Sequence, residues 1–523
     1  LGNLEKQYKK TIKMTASVHS ERKVLDDVLD EFGLFKNYHM VLALLIIFVS
    51  MTNSIFATNY VFVVDNVKYR YLYKSVTNLY NYCLGYNLGQ FISADGNTSV
   101  CGGCDKWVYD NPNSFVAEFE LACQDWKRTL VGTAHSTGYM FGLLLVGPLS
   151  DRFGRKTLTI ATGVMGGVIG MLRSLSPWYW LYLALEFLEA AIGDSCLPAF
   201  VLMLEFVSKQ KRVAFSSICT IGYPIGSMLF ALAAWLVPYW RHLLLVLYTP
   251  ALLFIFYIFF LDESPRWLQI KDRKKEATDL LVKISKMNGK ELDRHVLEKV
   301  TTEAESRISF GELLKNTFQS SALRKRFLVC LVWWISCTFV SYGMTINSVS
   351  LQGNKYVNYA LISVCELFAI WGIMYVLTHY RRKFPLLLAF YIGAVFCLTQ
   401  PFMPNNLGWL SVALYISGKT MSSFYFNITY IYTSELFPTY TRNSMHALCS
   451  SLGRIGSILA PQTPLLMPYW SGLPSIIFGV VAAVAGTATF LVPDIDSTSL
   501  PDTVHQAEAI GMKDKKTNVV SRL

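Results

Sequence analysis

Apolar residues run in twelve stretches, each near the length that crosses a bilayer, and this repeated length limits the chain more than any other feature. The runs fall at about 39–64, 129–149, 157–173, 178–207, 213–237, 241–261, 327–349, 357–378, 384–401, 409–434, 445–467 and 474–492. About 20 apolar residues in helical form span the hydrocarbon core. Lipid offers no hydrogen bonds to an open backbone, so such runs predict helices whose polar groups are satisfied within the segment. Gly, Pro and polar residues inside the longer runs are tolerated where neighbouring helices satisfy the freed groups. The composition agrees: 53% hydrophobic and only 16% charged residues suit a chain whose solvent is the bilayer.

Between the second and third runs lies a charge-dense turn, Gly147-Pro-Leu-Ser-Asp151-Arg152-Phe-Gly154-Arg155-Lys156. Basic turns between spans stay on the cytoplasmic side. With an even number of spans both chain ends share one side, and that side holds 36 of the 47 Lys and Arg, 15 of them in the central loop 262–326, against 9 on the other. The bias predicts cytoplasmic termini. It also explains the net charge of +11 without nucleic acid, because no basic run is interleaved with the aromatic pattern of an RNA-binding module. The polybasic stretches can touch anionic lipid head groups. Residues 1–38 carry charge throughout and lack the apolar core of a cleaved signal, so the first span is expected to act as signal anchor. Residues 1–13, ahead of Met14, are expected to be an upstream or added extension.

The chain repeats itself after six spans. Glu205 and Arg212 flank the junction of spans four and five, and Glu435 and Arg442 flank that of spans ten and eleven. His379-Tyr-Arg381-Arg382-Lys383, between spans eight and nine, is a degenerate echo of the 147–156 turn. Parallel repeats of this kind place a binding site between two halves near mid-membrane.

The pattern Gly-x-Leu-x-Asp-Arg-x-Gly-Arg-Lys resembles the loop between helices 2 and 3 of the major facilitator superfamily of secondary transporters. Three further motifs, Asp262-Glu263-Ser264-Pro265-Arg266-Trp267-Leu268, Ser434-Glu435-Leu436-Phe437-Pro438-Thr439-x-x-Arg442-Asn443 and Leu500-Pro501-Asp502-Thr503, follow spans six, ten and twelve. With Cys104-x-x-Trp107-Val-Tyr109-Asp110 and Cys123-x-x-Trp126 they resemble the organic cation, anion and zwitterion transporter family over about residues 30–510. Sugar porters share the first of these motifs, but the long cysteine-bearing loop after span one argues against them. The resemblance implies an all-α membrane protein of the major facilitator fold, with 12 transmembrane helices in two six-helix bundles. The parts are then a cytoplasmic tail 1–38, an N-terminal bundle 39–261 with a large extracellular loop 65–127, a cytoplasmic central loop 262–326 bearing short helices, a C-terminal bundle 327–492 and a tail 493–523. Lys274 to Ser285 has amphipathic spacing.

Function follows the same resemblance: alternating-access transport of small organic ions, either organic cations or zwitterions such as carnitine-like or amino-acid-derived amines. A plasma-membrane location, a monomeric transport unit, no cofactor, no metal and an unassigned coupling ion, H+ or Na+, are expected. An organic anion exchanger and a non-transporting receptor of the same fold are the alternatives. No Ser-His-Asp-like, metal-ligand or phosphate-cradling motif points to an enzyme. Gly147, Asp151, Arg152, Gly154, Arg155, Glu205, Arg212, Glu263, Arg266, Glu435 and Arg442 are expected to gate, clamping helix ends by ion pairs that form and break as the halves rock.

The loop from Asp65 to Lys127 holds Cys83, Cys101, Cys104 and Cys123, an even number on an oxidising side, which suggests disulfides. Three pairings are possible. Zinc or redox use of Cys101-Gly-Gly-Cys104 is disfavoured by the oxidising exterior and the lack of a paired His. Asn97-Thr98-Ser99 is a glycosylation acceptor on the correct side, whereas Asn427-Ile428-Thr429 sits inside a span.

Charges inside the spans carry the chemistry, since each costs a few kcal/mol to bury and needs a partner. Lys419 and Arg454 are the two bases left after the loops are counted, and Glu366 in span eight is the acidic candidate. By resemblance, an acid in span eight and Gly418-Lys419 are common across branches, while Arg at position 454 occurs in carnitine-type and anion-type members and an acid there in cation-specific ones. Glu366 on one wall facing Arg454 and Lys419 on the other would suit a zwitterion, with the alternative that Glu366 and Lys419 form a purely structural pair. Tyr342, Phe426, Trp334, Tyr223 and Tyr425 are substrate-binding candidates through their ring faces, with Trp333 and Phe424 nearby in sequence. Span four departs from the family: where facilitators usually carry Arg it reads Glu186-Phe-Leu-Glu189-Ala-Ala-Ile-Gly193-Asp194, which puts a proton-coupling role of that Arg in doubt.

Overall fold

The computed structural model describes residues 25–33, 36–74, 80–83, 91–92, 98–99, 107–208, 210–290 and 318–494. Twelve membrane-length helical segments run through them: α1 Asn37–Val63, α2 Asp125–Phe153, α3 Arg155–Arg173, α4 Tyr179–Glu205, α5 Ala214–Leu236, α6 Trp240–Phe260, α7 Ser321–Ser350, α8 Lys355–His379, α9 Lys383–Phe402, α10 Gly408–Glu435, α11 Thr439–Leu459 prolonged by the 3-10 turn Ala460–Leu466, and α12 Leu473–Thr489. Two apolar cores form, one from α1–α6 and one from α7–α12. The halves meet along α5 against α8 and α2 against α11. A shift of six helices carries the first contact onto the second, so the sequence repeat is a repeat of packing as well.

Short elements sit at the two faces. On the face that carries the chain ends, here the tail face, the helix Leu25–Glu31 buries Leu25, Val28 and Leu29, and the amphipathic helix Lys274–Met287 buries Ala277, Leu280, Leu281 and Ile284. Asp30 ties the first of these to the bundle: it accepts from Lys211 Nζ and from Ser208 Oγ, both at 2.9 Å, and these bonds hold its carboxyl below the usual carboxylate range. On the opposite or loop face, short strands are added to the helical fold. The strand β1 Tyr69–Lys74 pairs antiparallel with β2 Tyr80–Cys83 and β5 Trp107–Tyr109, and β3 Phe91–Ile92 pairs with β4 Thr98–Ser99. This segment projects beyond the spans, where backbone groups can pair between strands. Its end is pinned to the bundle by two amides, Cys123 N–H donating to Tyr69 Oη at 3.1 Å and Ala122 N–H to Tyr109 Oη at 3.3 Å. Cys123 is disulfide-bonded. Cys101, Cys104 and Asn97 and the side chain of Cys83 lie outside the described residues.

The charged turns act within halves. Glu263 accepts the first amides of α3, from Arg155 N–H at 3.0 Å and Lys156 N–H at 3.2 Å, placing an anion on the positive end of that helix. Gly154 has φ +99°, and a Cβ there would collide with this carboxylate. Arg155 pairs with Glu205 at 3.2 Å and Asp151 at 2.9 Å, and Trp267 Nε1 donates to Asp151 O at 3.1 Å. In the second half the same pair recurs six helices on, Arg382 to Glu435 at 3.3 Å. The acids that close the repeats therefore bind the bases of the 147–156 turn and its echo. Arg212 Nε donates instead to Leu204 O at 3.2 Å, and the side chain of Arg442 lies outside the described residues. Arg266 pairs with Asp26, Arg152 is exposed over the Phe153 ring, and a Cβ at Gly147 would meet only open space. Glu263→Ala is expected to lower stability by about 1–2 kcal/mol through the lost helix cap, and Asp151→Asn by less than about 0.5 kcal/mol because Asp151 is largely exposed. Thermal unfolding of the detergent-solubilised protein measures both.

Candidate functional site

A cavity of about 280 Å³ opens between the halves, lined from α1, α5, α7, α8, α10 and α11. It extends from Thr58, Thr345 and Tyr359, near the loop-face ends of their helices, toward Thr220, Ile373 and Asn427 nearer the tail face. Of the residues singled out in the sequence, Tyr223, Tyr342, Glu366, Lys419, Phe426 and Arg454 all line it. Helix spacing explains the convergence: Lys419, Ser423 and Phe426 follow one face of α10 at intervals of four and three, and on α7 Thr345 lies four residues after Ser341 and three after Tyr342.

Trp334 and Tyr425 do not line the cavity. Trp334 is buried in the second half with Nε1 donating to Thr433 Oγ1 at 3.1 Å, and Tyr425 is stacked on Phe390 with ring centroids 4.4 Å apart. Both sit on helix faces turned toward their own bundle. Trp333 likewise donates to Thr489 Oγ1 at 3.0 Å and stacks on Tyr432.

The polar groups of the cavity are ordered by one another. Lys419 Nζ lies 2.9 Å from Glu366 Oε1 and donates to Ser341 Oγ at 2.9 Å, while Ser423 Oγ donates to the same Glu366 oxygen at 3.4 Å. Arg454 donates to Tyr342 Oη at 3.2 Å and rests over the Tyr139 ring, 4.7 Å from its centroid. Its Nε is buried without a hydrogen-bond partner among the described residues, which leaves donor capacity for an acceptor. The Lys419–Glu366 pair is neutral as a unit, so Arg454 is the one charge lining the cavity with no opposite charge paired to it there.

Toward the loop face the halves are joined. Lys355 pairs with Asp65, Phe62 stacks on Tyr356 at 5.2 Å, and Tyr359 Oη donates to Thr58 Oγ1 at 2.9 Å. On the other seam Gln462 Nε2 donates to Thr133 Oγ1 at 2.7 Å, and Thr133 donates to Ile458 O at 3.3 Å. A second cavity of about 510 Å³, holding Asp65, Asp125, Arg128 and Lys355, lies just beyond this closure. It is larger than the central one, but the central one lies between the halves and holds the intramembrane charges Glu366, Lys419 and Arg454, all from the second half, opposite the uncharged wall of Thr58, Thr220, Tyr223 and Ser227 from the first, and it is taken as the site. Lys355→Glu should weaken the closed loop-face end and shift the protein toward the opposite opening, raising labelling of a cysteine placed at Thr58 by a membrane-impermeant thiol reagent several-fold. Unchanged labelling would show that the pair does not hold the end shut.

Sequence reasoning missed a fully buried base. Arg173 closes the third apolar run and was counted with the loops, yet it is fully buried, with its guanidinium paired to Glu186 and donating to Tyr248 Oη at 2.6 Å. Lys419 and Arg454 are thus not the only bases within the spans. Glu186, Glu189 and Asp194 are all buried too, none at a water-exposed helix end. Asp194 sits at the break in α4 and accepts the amides of Cys196 at 3.0 Å and Leu197 at 3.4 Å. The signal was present: an acid such as Glu186 inside an apolar run demands a base at its own depth, and Arg173 stands across a short turn.

The profile of the Major Facilitator Superfamily matches residues 126–461. The chain belongs to that superfamily. It is 31% identical to solute carrier family 22 member 1 of Bos taurus over 81% of its own length and 76% of that protein, which places it in solute carrier family 22. It is also 28% identical to member 2 of the same family from Homo sapiens, over 80% and 76%, and 29% identical to the organic cation transporter protein of Drosophila melanogaster, over 78% and 77%. Among solved structures it resembles the xylose transporter XylE from E. coli in a partially occluded inward-open conformation, with a TM-score of 0.61 over 88% of this chain and 100% of that one at 16% identity, a likeness of fold. The superfamily chain is a multi-pass membrane transporter, so the twelve-helix, two-bundle expectation holds.

Proposed function

We propose that this facilitator carries small organic zwitterions, an ammonium at one end and a carboxylate at the other, by alternating access. The observation that supports this most is Arg454, which turns a guanidinium with an unused buried donor into a cavity whose other charges, Lys419 and Glu366, cancel. A guanidinium can hold a carboxylate in a bidentate fork. The ammonium end would rest among Tyr223, Tyr342, Tyr359 and Phe426 and compete with Lys419 for Glu366. Simple organic cations are the second reading, favoured by the Drosophila relative's name and by Glu366 as the acid lining the cavity. The transport unit is a monomer in the plasma membrane, and the tail face is cytoplasmic, in keeping with its excess of Lys and Arg. Closure at the loop face with a cavity reaching toward the tail face is then an inward-facing state.

Uptake into proteoliposomes of three radiolabelled probes, carnitine, tetraethylammonium and glutarate, tests the reading. Carnitine should be carried best. Faster uptake of tetraethylammonium, insensitive to Arg454→Ala, would replace zwitterion by cation, and uptake of none would remove the transport of these ion classes.

A further inference from the structure

Two buried carboxylates of the first half, Glu186 and Glu189, share one arginine. Arg173 pairs directly with Glu186 and acts on Glu189 through its charge, so with a neutral imidazole the group carries one negative charge too many. Glu189 is buried at 1% exposure, and its Oε2 has no hydrogen-bond partner among the described residues. Beside it stands His135 on α2, with Nδ1 2.9 Å from Glu186 Oε1 and 3.8 Å from Glu189 Oε2.

A buried carboxylate without a counter-charge costs several kcal/mol, and the cheapest remedy is a proton. An imidazole between two carboxylates is placed to hold one. We propose that His135 with Glu189 and Glu186 binds a single proton whose occupancy accompanies closure of the loop-face end, so that transport is proton-coupled. This deepens the transporter reading and rests on it.

The surroundings fit a proton rather than a larger ion. Groups from four helices face the cluster: Asn59 and Tyr60 from α1, Arg173 from α3, Tyr182 from α4 and Tyr248 from α6. Arg173 fills the remaining side of Glu186, which disfavours a metal ion bridging the same three residues even though their donor atoms lie within 4.8 Å of one another. A route in is also visible. The His135 ring packs 5.4 Å from Tyr60, which together with Thr129 and Gly132 lines the cavity beyond the closure. Thr129 and Thr133, six and two residues before His135 on the same helix, make the α2 bonds to α11 that shut this end. When the end opens, water reaches the cluster and the proton exchanges; when it closes, the cluster is dehydrated and must be neutral. The proton is taken from water at the loop face and returned to water, with no other bond made or broken.

Proteoliposomes at clamped membrane potential test this, with uptake of carnitine, tetraethylammonium and glutarate read with and without a pH gradient, acid on the loop face. For whichever probe wild type carries, the gradient should speed uptake by about fivefold or more. His135→Gln should abolish that acceleration while keeping probe-for-probe exchange, which needs no net proton movement. Glu189→Gln, neutral without a proton, should also be gradient-insensitive, and it serves where His135→Gln fails to fold. Wild-type uptake that ignores the pH gradient, responds to Na+ instead, or keeps its full pH response in both variants overturns the proton site. Uptake of no probe under any condition defeats the transporter reading itself.

Discussion

Arg454→Ala is expected to cut carnitine uptake by about 10- to 100-fold, the equivalent of losing charge-assisted hydrogen bonds worth about 1.5–3 kcal/mol. The loss should fall on affinity and turnover together, because the guanidinium would hold the carboxylate in both the resting and the moving states. Arg454→Asp should go further and admit tetraethylammonium, since specificity here is a difference between attraction for one charge and repulsion of the other. The Tyr139 ring beneath the guanidinium and Tyr342 Oη beside it fix its direction, so Tyr342→Phe should show the same substrate bias in weaker form. If carnitine uptake survives Arg454→Ala unchanged, the arginine is structural and its partner is Asp194 alone.

Glu186→Ala should be strongly destabilising, by about 3 kcal/mol, because it removes the carboxylate paired directly with fully buried Arg173 and leaves Glu189 alone to oppose that charge. The same change frees Asn59 Nδ2, which donates to Glu186 at 3.4 Å, and leaves His135 with Glu189 alone. Arg173→Leu combined with Glu186→Leu should recover most of the loss, since an apolar pair of similar volume often equals a buried ion pair. Thermal unfolding in detergent reads both variants, and a double variant no more stable than Glu186→Ala would mean that the network, not the charge, is what matters.

The depth of each charge was legible only in part. Glu366, Lys419 and Arg454 stood out because they interrupt long apolar runs, and the fold brings all three to one cavity. Arg173 did not, because a base at the end of a run looks like a loop residue until the turn after it is seen to fold the helix end inward. The rings were less legible still. Tyr342 and Phe426 point at the cavity while Trp334 and Tyr425, only a few positions away, point into their own bundle, and at 3.6 residues per turn a shift of one residue is about 100° of rotation.

The sequence by itself determined the solvent, the number of spans, the two-fold repeat and the sidedness of charge, because bilayer thickness and the cost of moving Lys and Arg across it act on each segment separately. The loop-face strands escaped it, as did two partners of the charged turns: Glu205 binds Arg155 and Glu435 binds Arg382, both across helices. Only the tertiary structure decided these, and it decided the unbalanced charge at Glu189 in the same way. Pairing depends on which helix faces meet at one depth, and that is set by packing between segments far apart in the chain rather than by any segment alone.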